Sequence, residues 1–150
     1  MTSQLNVDTI VDKAGSGGTN VKIGNTSTYV SDGGAVTQNT VQGIAKAWGN
    51  VDGSGTSSLV DSFNMSGFTD NTTGDYTFTY SNSMTNNLYS VAGLSKQTSG
   101  AAGQNLRIDD DATVSNTINT GFIRVNTTDA ANSAFADSDV VCVQICGDLA

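Results

Sequence analysis

Hydrophobic residues alternate with polar ones in short clusters along the chain, and these clusters are rich in β-branched and aromatic side chains. The clearest cluster is Tyr76–Tyr80, where aromatic residues alternate with threonine so that all three rings fall on one face of a strand. Residues 70–75 predict a hairpin loop that joins this strand to one over Met65–Thr69. From Gly43 onward, about seven or eight strands recur at intervals of roughly ten residues. The pattern predicts an all-β protein whose head is a β-sandwich or a jelly roll.

The most apolar run of the chain is Val140–Cys146, and it predicts a central strand buried on both faces. Two cysteines lie four residues apart on this strand, about 13 Å from each other, which exceeds the reach of a disulfide. No further soft metal ligand accompanies them, so we expect Cys142 and Cys146 to be buried structural thiols. The expected core of the head consists of Trp48, Phe63, Phe78, Phe122, Val141, Val143 and Ile145.

The first 43 residues differ from the rest because short apolar clusters alternate with glycine-rich breaks. Residues 4–11 alternate in a way that predicts an anchoring strand, whose buried side carries Leu5, Val7 and either Ile10 or Val11. Apolar side chains are too few in this segment for a core of its own. We therefore expect an extended N-terminal β arm over residues 1–43, stabilised by identical copies or by a larger surface, before a head domain over residues 44–150. A small arm that folds alone is the alternative.

Composition and charge exclude several classes of function. The chain has 14 acidic residues, all aspartate, against 6 basic ones, and its net charge of −8 argues against binding to nucleic acid. Histidine is absent, which excludes histidine-based catalysis and histidine metal ligands. No apolar run approaches the length needed for membrane insertion. The N-terminus lacks the features of a signal peptide, so we expect synthesis in a cytoplasm.

Three groups of residues were considered as functional sites. Asp109–Asp111 is the only acidic cluster, and a solvated turn is expected there, with Asp109 and Asp111 as the side chains to test if a cation binds. Asp61, Asp70 and Asp75 lie beside turn residues, where aspartate bonds to the local backbone, so we expect no catalytic residue, no cofactor and no enzyme. Exposed aromatics can stack on sugars, and Tyr29 and Tyr89 are the candidates for contact with a glycan. Trp48 is a third, although its apolar surroundings favour the core.

Residues 45–92 resemble a recurring module of virion proteins of tailed bacteriophages, above all the fibre-like proteins of phages that infect marine bacteria. The resemblance is carried by the Lys46-Ala47-Trp48 opening, a glycine-rich turn, a Ser62-Phe63-Asn64 segment and a hairpin from Thr69-Asp70-Asn71 to Gly74-Asp75-Tyr76. The chain departs from the module at Gly49, where the module usually has an apolar residue. The N-terminal Leu5–Gly15 is also similar to the opening of many such proteins.

The resemblance implies a structural component at the virion surface, a homotrimer whose N-terminus docks on the particle and which is made in the host cytoplasm. Its partners would be the major capsid protein or a tail component. The short chain favours a capsid decoration or cement protein, or a short head fibre. The alternative is a tail fibre or spike that attaches to a glycan receptor on the host.

Overall fold

The computed structural model describes residues 28–30, 37–39, 43–97, 104–108, 117–129 and 134–148. Every regular element in this part of the chain is a β-strand, which confirms the all-β prediction. The strands are β1 Thr28–Val30, β2 Thr37–Asn39, β3 Ala45–Asp52, β4 Ser58–Phe63, β5 Met65–Thr72, β6 Asp75–Tyr80, β7 Ser90–Lys96, β8 Asn105–Ile108, β9 Phe122–Thr128 and β10 Val140–Cys146.

The chain divides into two compact units, residues 1–41 and residues 42–150. In the first unit, β1 and β2 form an antiparallel pair in which Tyr29 lies opposite Gln38. The predicted anchoring strand, with Leu5, Val7, Ile10 and Val11, lies outside the described residues.

The second unit is a β-sandwich of two four-stranded antiparallel sheets, as predicted. The first sheet has the strand order β4-β3-β10-β7 and the second has the order β5-β6-β9-β8. The two sheets share one core, in which β3 lies over β6 and β7 lies over β8. The part of this unit that the structure describes contains eight strands, in agreement with the seven or eight that the spacing of the clusters predicts.

The aromatic strand β6 supplies the largest side chains of the core. It pairs with β5 in a hairpin whose turn is at Thr73 and Gly74, and Tyr76, Phe78 and Tyr80 are all buried, as their alternation predicts. Phe68 of β5 packs edge-on against Phe78. The opposite sheet completes the core with Val141, Val143 and Ile145, which are buried as expected, and with Ala47 and Val51.

Three residues expected in the core lie outside it. Phe63 is 53 % exposed, because a β-bulge at Val60 shifts the pairing of β4 with β3. Leu59 faces the core opposite Val51, and the extra residue turns Phe63 to the other side of the sheet. Trp48 is partly buried on that same side. Phe122 is partly buried opposite Thr79, on the side of its sheet that faces away from Ile123 and the core.

Strand β10 is central in its sheet, as predicted, but it is not buried on both faces. Val141, Val143 and Ile145 face the core, whereas Gln144 between them is exposed. Cys142 and Cys146 share the side of Gln144 and are partly exposed, so the expectation of buried thiols is wrong. Both are free thiols. The cause is that only one side of this sheet is covered by the second sheet.

Candidate functional site

The candidate site is a groove on the outer face of the first sheet, which is the side of β4-β3-β10-β7 turned away from the core. The groove has a volume of about 610 Å³. The side chains on the outer face that line it are Trp48, Asn50, Ala92, Leu94, Cys142 and Gln144, and the backbone of the same strands completes the lining at Gly49, Gly93 and Val143.

The register of the strands brings these side chains together. Gln144 lies opposite Trp48 on one side and opposite Ala92 on the other. Cys142 in the next row lies between Asn50 and Leu94. Because directly opposed residues of antiparallel strands share a face, the indole and the two amides form one contiguous surface across β3 and β10.

Gly49 explains why Trp48 points outward. A Cβ atom at Gly49 would lie 2.9 Å from Cε1 of Phe78, so this position faces the core and is filled by the phenylalanine ring. Its neighbour Trp48 must then face the opposite side of the strand, because side chains alternate. Phe78 of the second sheet thus occupies the space that a side chain at Gly49 would need.

Exposed apolar side chains extend the groove at both ends. Phe63 lies opposite Trp48 in β4 and is therefore its neighbour on the outer face. Leu94 in β7 is 78 % exposed and borders the groove on the other side. Together with the indole they form an apolar band across the sheet, interrupted only by the amide of Gln144.

The groove lining carries no charged side chain, although the chain as a whole has a net charge of −8. Charged residues flank it on the same face. Asp61 lies opposite Asn50, and Lys96 lies two residues after Leu94, opposite Val140. The chemistry of the lining is therefore that of an aromatic surface with neutral hydrogen-bonding groups.

Of the two tyrosines proposed to contact a glycan, Tyr89 is buried. Its hydroxyl donates to the carbonyl oxygen of Asn119 at 2.9 Å, and its ring packs edge-on against Tyr80. Burial raises the pKa of the Tyr89 hydroxyl. The Tyr89 ring is not available for stacking on a sugar. Tyr29 lies in β1, and only its backbone is described.

The three aspartates Asp61, Asp70 and Asp75 make separate contacts, and only Asp61 makes the bond to the local backbone that was expected of all three. The Asp61 carboxylate accepts from the backbone N–H of Ser62 at 2.8 Å, and that of Asp70 accepts from the Ser57 hydroxyl at 2.7 Å. Asp75 is buried and forms an ion pair with Arg124. Asp61 belongs to the first sheet, whereas Asp70 and Asp75 belong to the second.

Asp109 and Asp111 lie outside the described residues, so their predicted role stays a prediction. Among the residues that the structure describes, no three His, Cys, Asp or Glu side chains are grouped to hold a metal ion. The same part of the chain contains no helix long and apolar enough to cross a lipid bilayer.

A partly buried hydrogen-bond network at one end of the sandwich has a structural role. The Tyr76 hydroxyl donates to the Asp137 carboxylate at 3.2 Å and accepts from the backbone N–H of Ser138 at 3.4 Å. The same carboxylate accepts from the backbone N–H of Gly74 at 2.6 Å, which ties the β5–β6 turn to the chain before β10. Burial raises the pKa of the Tyr76 hydroxyl to about 12, so it is a neutral donor at physiological pH.

Sequence reasoning missed Asn50, Gln144 and Leu94 and assigned Trp48 to the core. A signal was present in β3, where Ala47, Gly49 and Val51 are small or apolar at one parity, while Trp48 and Asn50 occupy the other. In β10, the glutamine between Val143 and Ile145 similarly marks an open face. No protein-family model, curated protein or solved structure matches the chain.

Proposed function

We propose that the chain is a non-enzymatic structural protein of a tailed-bacteriophage virion, a trimeric capsid decoration or cement protein or a short head fibre. It would be made in the host cytoplasm and would lie on the virion surface. The sandwich would be the exposed head, and the N-terminal arm, over about residues 1–43, would bind the major capsid protein.

The observation that carries this proposal is where the resemblance falls in the fold. Residues 45–92, which resemble the phage module, contain β3, β4, β5 and β6 and the start of β7. These strands include two complete hairpins, β3–β4 in one sheet and β5–β6 in the other, and both contribute to the core. The resemblance therefore covers a coherent half of the sandwich, as expected of a module that is reused between virion proteins.

The attachment of the head would rest on many weak contacts. Strands of the arm would add to the edge of a neighbouring sheet or intertwine about a threefold axis, so that backbone hydrogen bonds and multivalency supply the affinity. The negative charge of the chain would keep neighbouring particles apart.

The copy number of the chain per particle tests the proposal. Purified particles are analysed by mass spectrometry with isotope-labelled peptides, and the chain is quantified against the major capsid protein. Hundreds of copies support decoration of the capsid, whereas a handful or a few dozen support a tail component. Absence of the chain from purified particles overturns the virion role.

A second candidate is a tail fibre or spike that attaches to a glycan on the host surface. The observation that favours it is the uncharged groove of the outer face, where an indole and two amides line a concave surface. Immunogold labelling of a C-terminal tag on the particle separates the two candidates, because label on the capsid supports decoration and label on the tail supports host attachment.

A further inference from the structure

We propose that the outer-face groove is a binding site for an uncharged saccharide. In this site, Trp48 stacks on one face of a pyranose ring, and the amides of Asn50 and Gln144 bind its hydroxyl groups. The inference deepens the second candidate function by naming the residues and the class of ligand, and it rests on the groove alone, because a saccharide site on the head is compatible with attachment to the capsid or to the tail.

The first argument is the pairing of an aromatic surface with amides. A pyranose ring has an apolar face of C–H groups, which packs against the electron-rich face of an indole, and a rim of hydroxyls that need hydrogen-bond partners. Trp48 and Gln144 are directly opposed across β3 and β10, and Asn50 follows Trp48 on the same side of its strand. An amide both donates and accepts, so the two side chains suit hydroxyl groups in either role.

The second argument is charge. A groove without charged lining on a chain of net charge −8 is matched by a neutral ligand. The charged side chains that flank the lining on the outer face, Asp61 opposite Asn50 and Lys96 two residues after Leu94, are opposite in sign, and neither lies within the groove to pair with an ionic ligand. Acidic sugars would also be repelled by the chain as a whole, so neutral sugars are the expected class.

The third argument concerns the backbone. β3 and β10 are the two inner strands of their sheet, and each pairs with a neighbour on both sides. An extended peptide lying over these two strands would therefore find no free backbone groups there and could not bind to them by adding a strand. Recognition must be made by side chains, which suits a ligand with many hydroxyl groups.

The binding test uses the intrinsic fluorescence of the full-length protein, since Trp48 is its single tryptophan. The protein is titrated with oligosaccharides of glucose, mannose, galactose and N-acetylglucosamine, and with oligogalacturonate as an acidic comparison. We expect saturable change in the emission with at least one neutral oligosaccharide and weaker binding of the acidic one. No response to any neutral oligosaccharide at millimolar concentration overturns the proposal.

Variants locate the site by isothermal titration calorimetry. We expect Trp48→Ala to abolish binding, and Gln144→Ala or Asn50→Ala to weaken it about fivefold each, the usual effect of a lost neutral hydrogen bond. Gln144 is exposed, so its replacement leaves the fold intact even if Trp48→Ala fails to fold. Leu88→Ala is the matched control, because Leu88 is 86 % exposed and does not line the groove. Unchanged affinity in Gln144→Ala and Asn50→Ala places binding elsewhere and overturns the proposal.

The two cysteines provide an independent readout. Both are partly exposed on the outer face, but only Cys142 lines the groove. A saturating neutral oligosaccharide is expected to slow alkylation of Cys142 by iodoacetamide and to leave Cys146 unchanged, as measured by peptide mass spectrometry. Equal rates with and without the oligosaccharide contradict the proposal.

A second copy of the chain is the rival occupant of the groove. Light scattering compares the mass of the assembly in Gln144→Ala and Phe63→Ala with that of the parent protein. If the variants form smaller assemblies and the parent protein binds no sugar, the outer face is an interface between copies, and the saccharide site is overturned. The virion role is judged separately by copy number, so failure of one proposal is distinguishable from failure of the other.

Discussion

Asn64 carries the chain from one sheet of the sandwich to the other. It is the single residue between β4 and β5, and its φ of 56° lies in the left-handed region, which asparagine tolerates better than most side chains. Its Nδ2 donates to the carbonyl oxygens of Lys46 at 3.0 Å and Asn82 at 3.1 Å, and its Oδ1 accepts from the backbone N–H of Asn82 at 2.8 Å. Asn64 therefore fixes both the corner and the ends of β3 and β6.

We expect Asn64→Ala to lower the free energy of unfolding by about 2–3 kcal/mol, because it removes these hydrogen bonds and places alanine at a positive φ. Asn64→Gly is the matched variant, since glycine loses the same hydrogen bonds but adopts the backbone conformation freely. Its loss is expected to be about 1 kcal/mol smaller. Urea-induced unfolding followed by circular dichroism measures both values, and equal losses in the two variants would show that the backbone conformation costs nothing.

Three core tyrosines make the stability of the sandwich sensitive to alkaline pH. Burial raises the pKa of Tyr76 to about 12 and also raises those of Tyr80 and Tyr89 above the ordinary value of 10.0. A hydroxyl whose folded-state pKa is raised contributes its full stability below the unfolded-state pKa, and that contribution is lost as the pH rises from about 10 through the folded-state value.

We therefore expect the free energy of unfolding to fall steeply above about pH 10, by up to about 1.4 kcal/mol per pH unit for each tyrosine that stays protonated in the fold. Tyr80→Phe removes one of these titrating groups, so the slope should become smaller by up to about 1.4 kcal/mol per pH unit. This expectation holds whatever the variant does to the free energy of unfolding at neutral pH. Urea unfolding at a series of pH values measures the slope. An identical slope in the variant and the parent protein would contradict the assignment of Tyr80 as a group with a raised pKa.

At the scale of elements, strand β3 shows how one small residue sets the distance between the sheets. We expect Gly49→Ala to destabilise the protein by about 1–3 kcal/mol, because the added methyl group would overlap the Phe78 ring in a packed core. Gly67→Ala in β5 is the control, since the nearest atom to its added Cβ is Thr79 Cβ at 3.9 Å. Thermal unfolding should separate the two variants, and a Gly49→Ala protein as stable as the control would mean that Phe78 can move aside.

The strands themselves were predictable from the sequence because their alternation is strong, as in Tyr76–Tyr80, but their faces were not always predictable. The bulge at Val60 reverses the parity of β4, and nothing in the run Leu59–Phe63 marks it. Phe63 therefore lies on the outer face and not in the core, beside Trp48, whose own orientation follows from the alternation of Ala47, Gly49 and Val51 in β3. In β10, the apolar content concealed that the second sheet covers only one side.

At the scale of the whole molecule, all residues of the described core belong to the unit over residues 42–150. Among the residues that the structure describes, this unit has twelve buried hydrophobic residues from both sheets, whereas the sequence of the first 41 residues contains a single aromatic residue, Tyr29. A core must bury enough apolar surface to offset the entropy of ordering the chain. We propose that the sandwich meets this condition by itself and that the arm is stabilised by identical copies or by a larger surface.

The proposed trimer follows from this difference, and a truncation tests it. We expect the full-length chain to be a trimer by light scattering coupled to size-exclusion chromatography, and the fragment 42–150 to be a folded monomer with the same β-sheet circular dichroism per residue. The reason is that copies of the arm would supply one another with the apolar surface that each lacks.

A full-length monomer whose first 41 residues are protected from hydrogen exchange would overturn this account, because such an arm would be stable without copies or a capsid surface. A fragment that remains trimeric would instead place the interface on the sandwich, where the exposed Phe63 and Leu94 of the outer face are the first residues to replace.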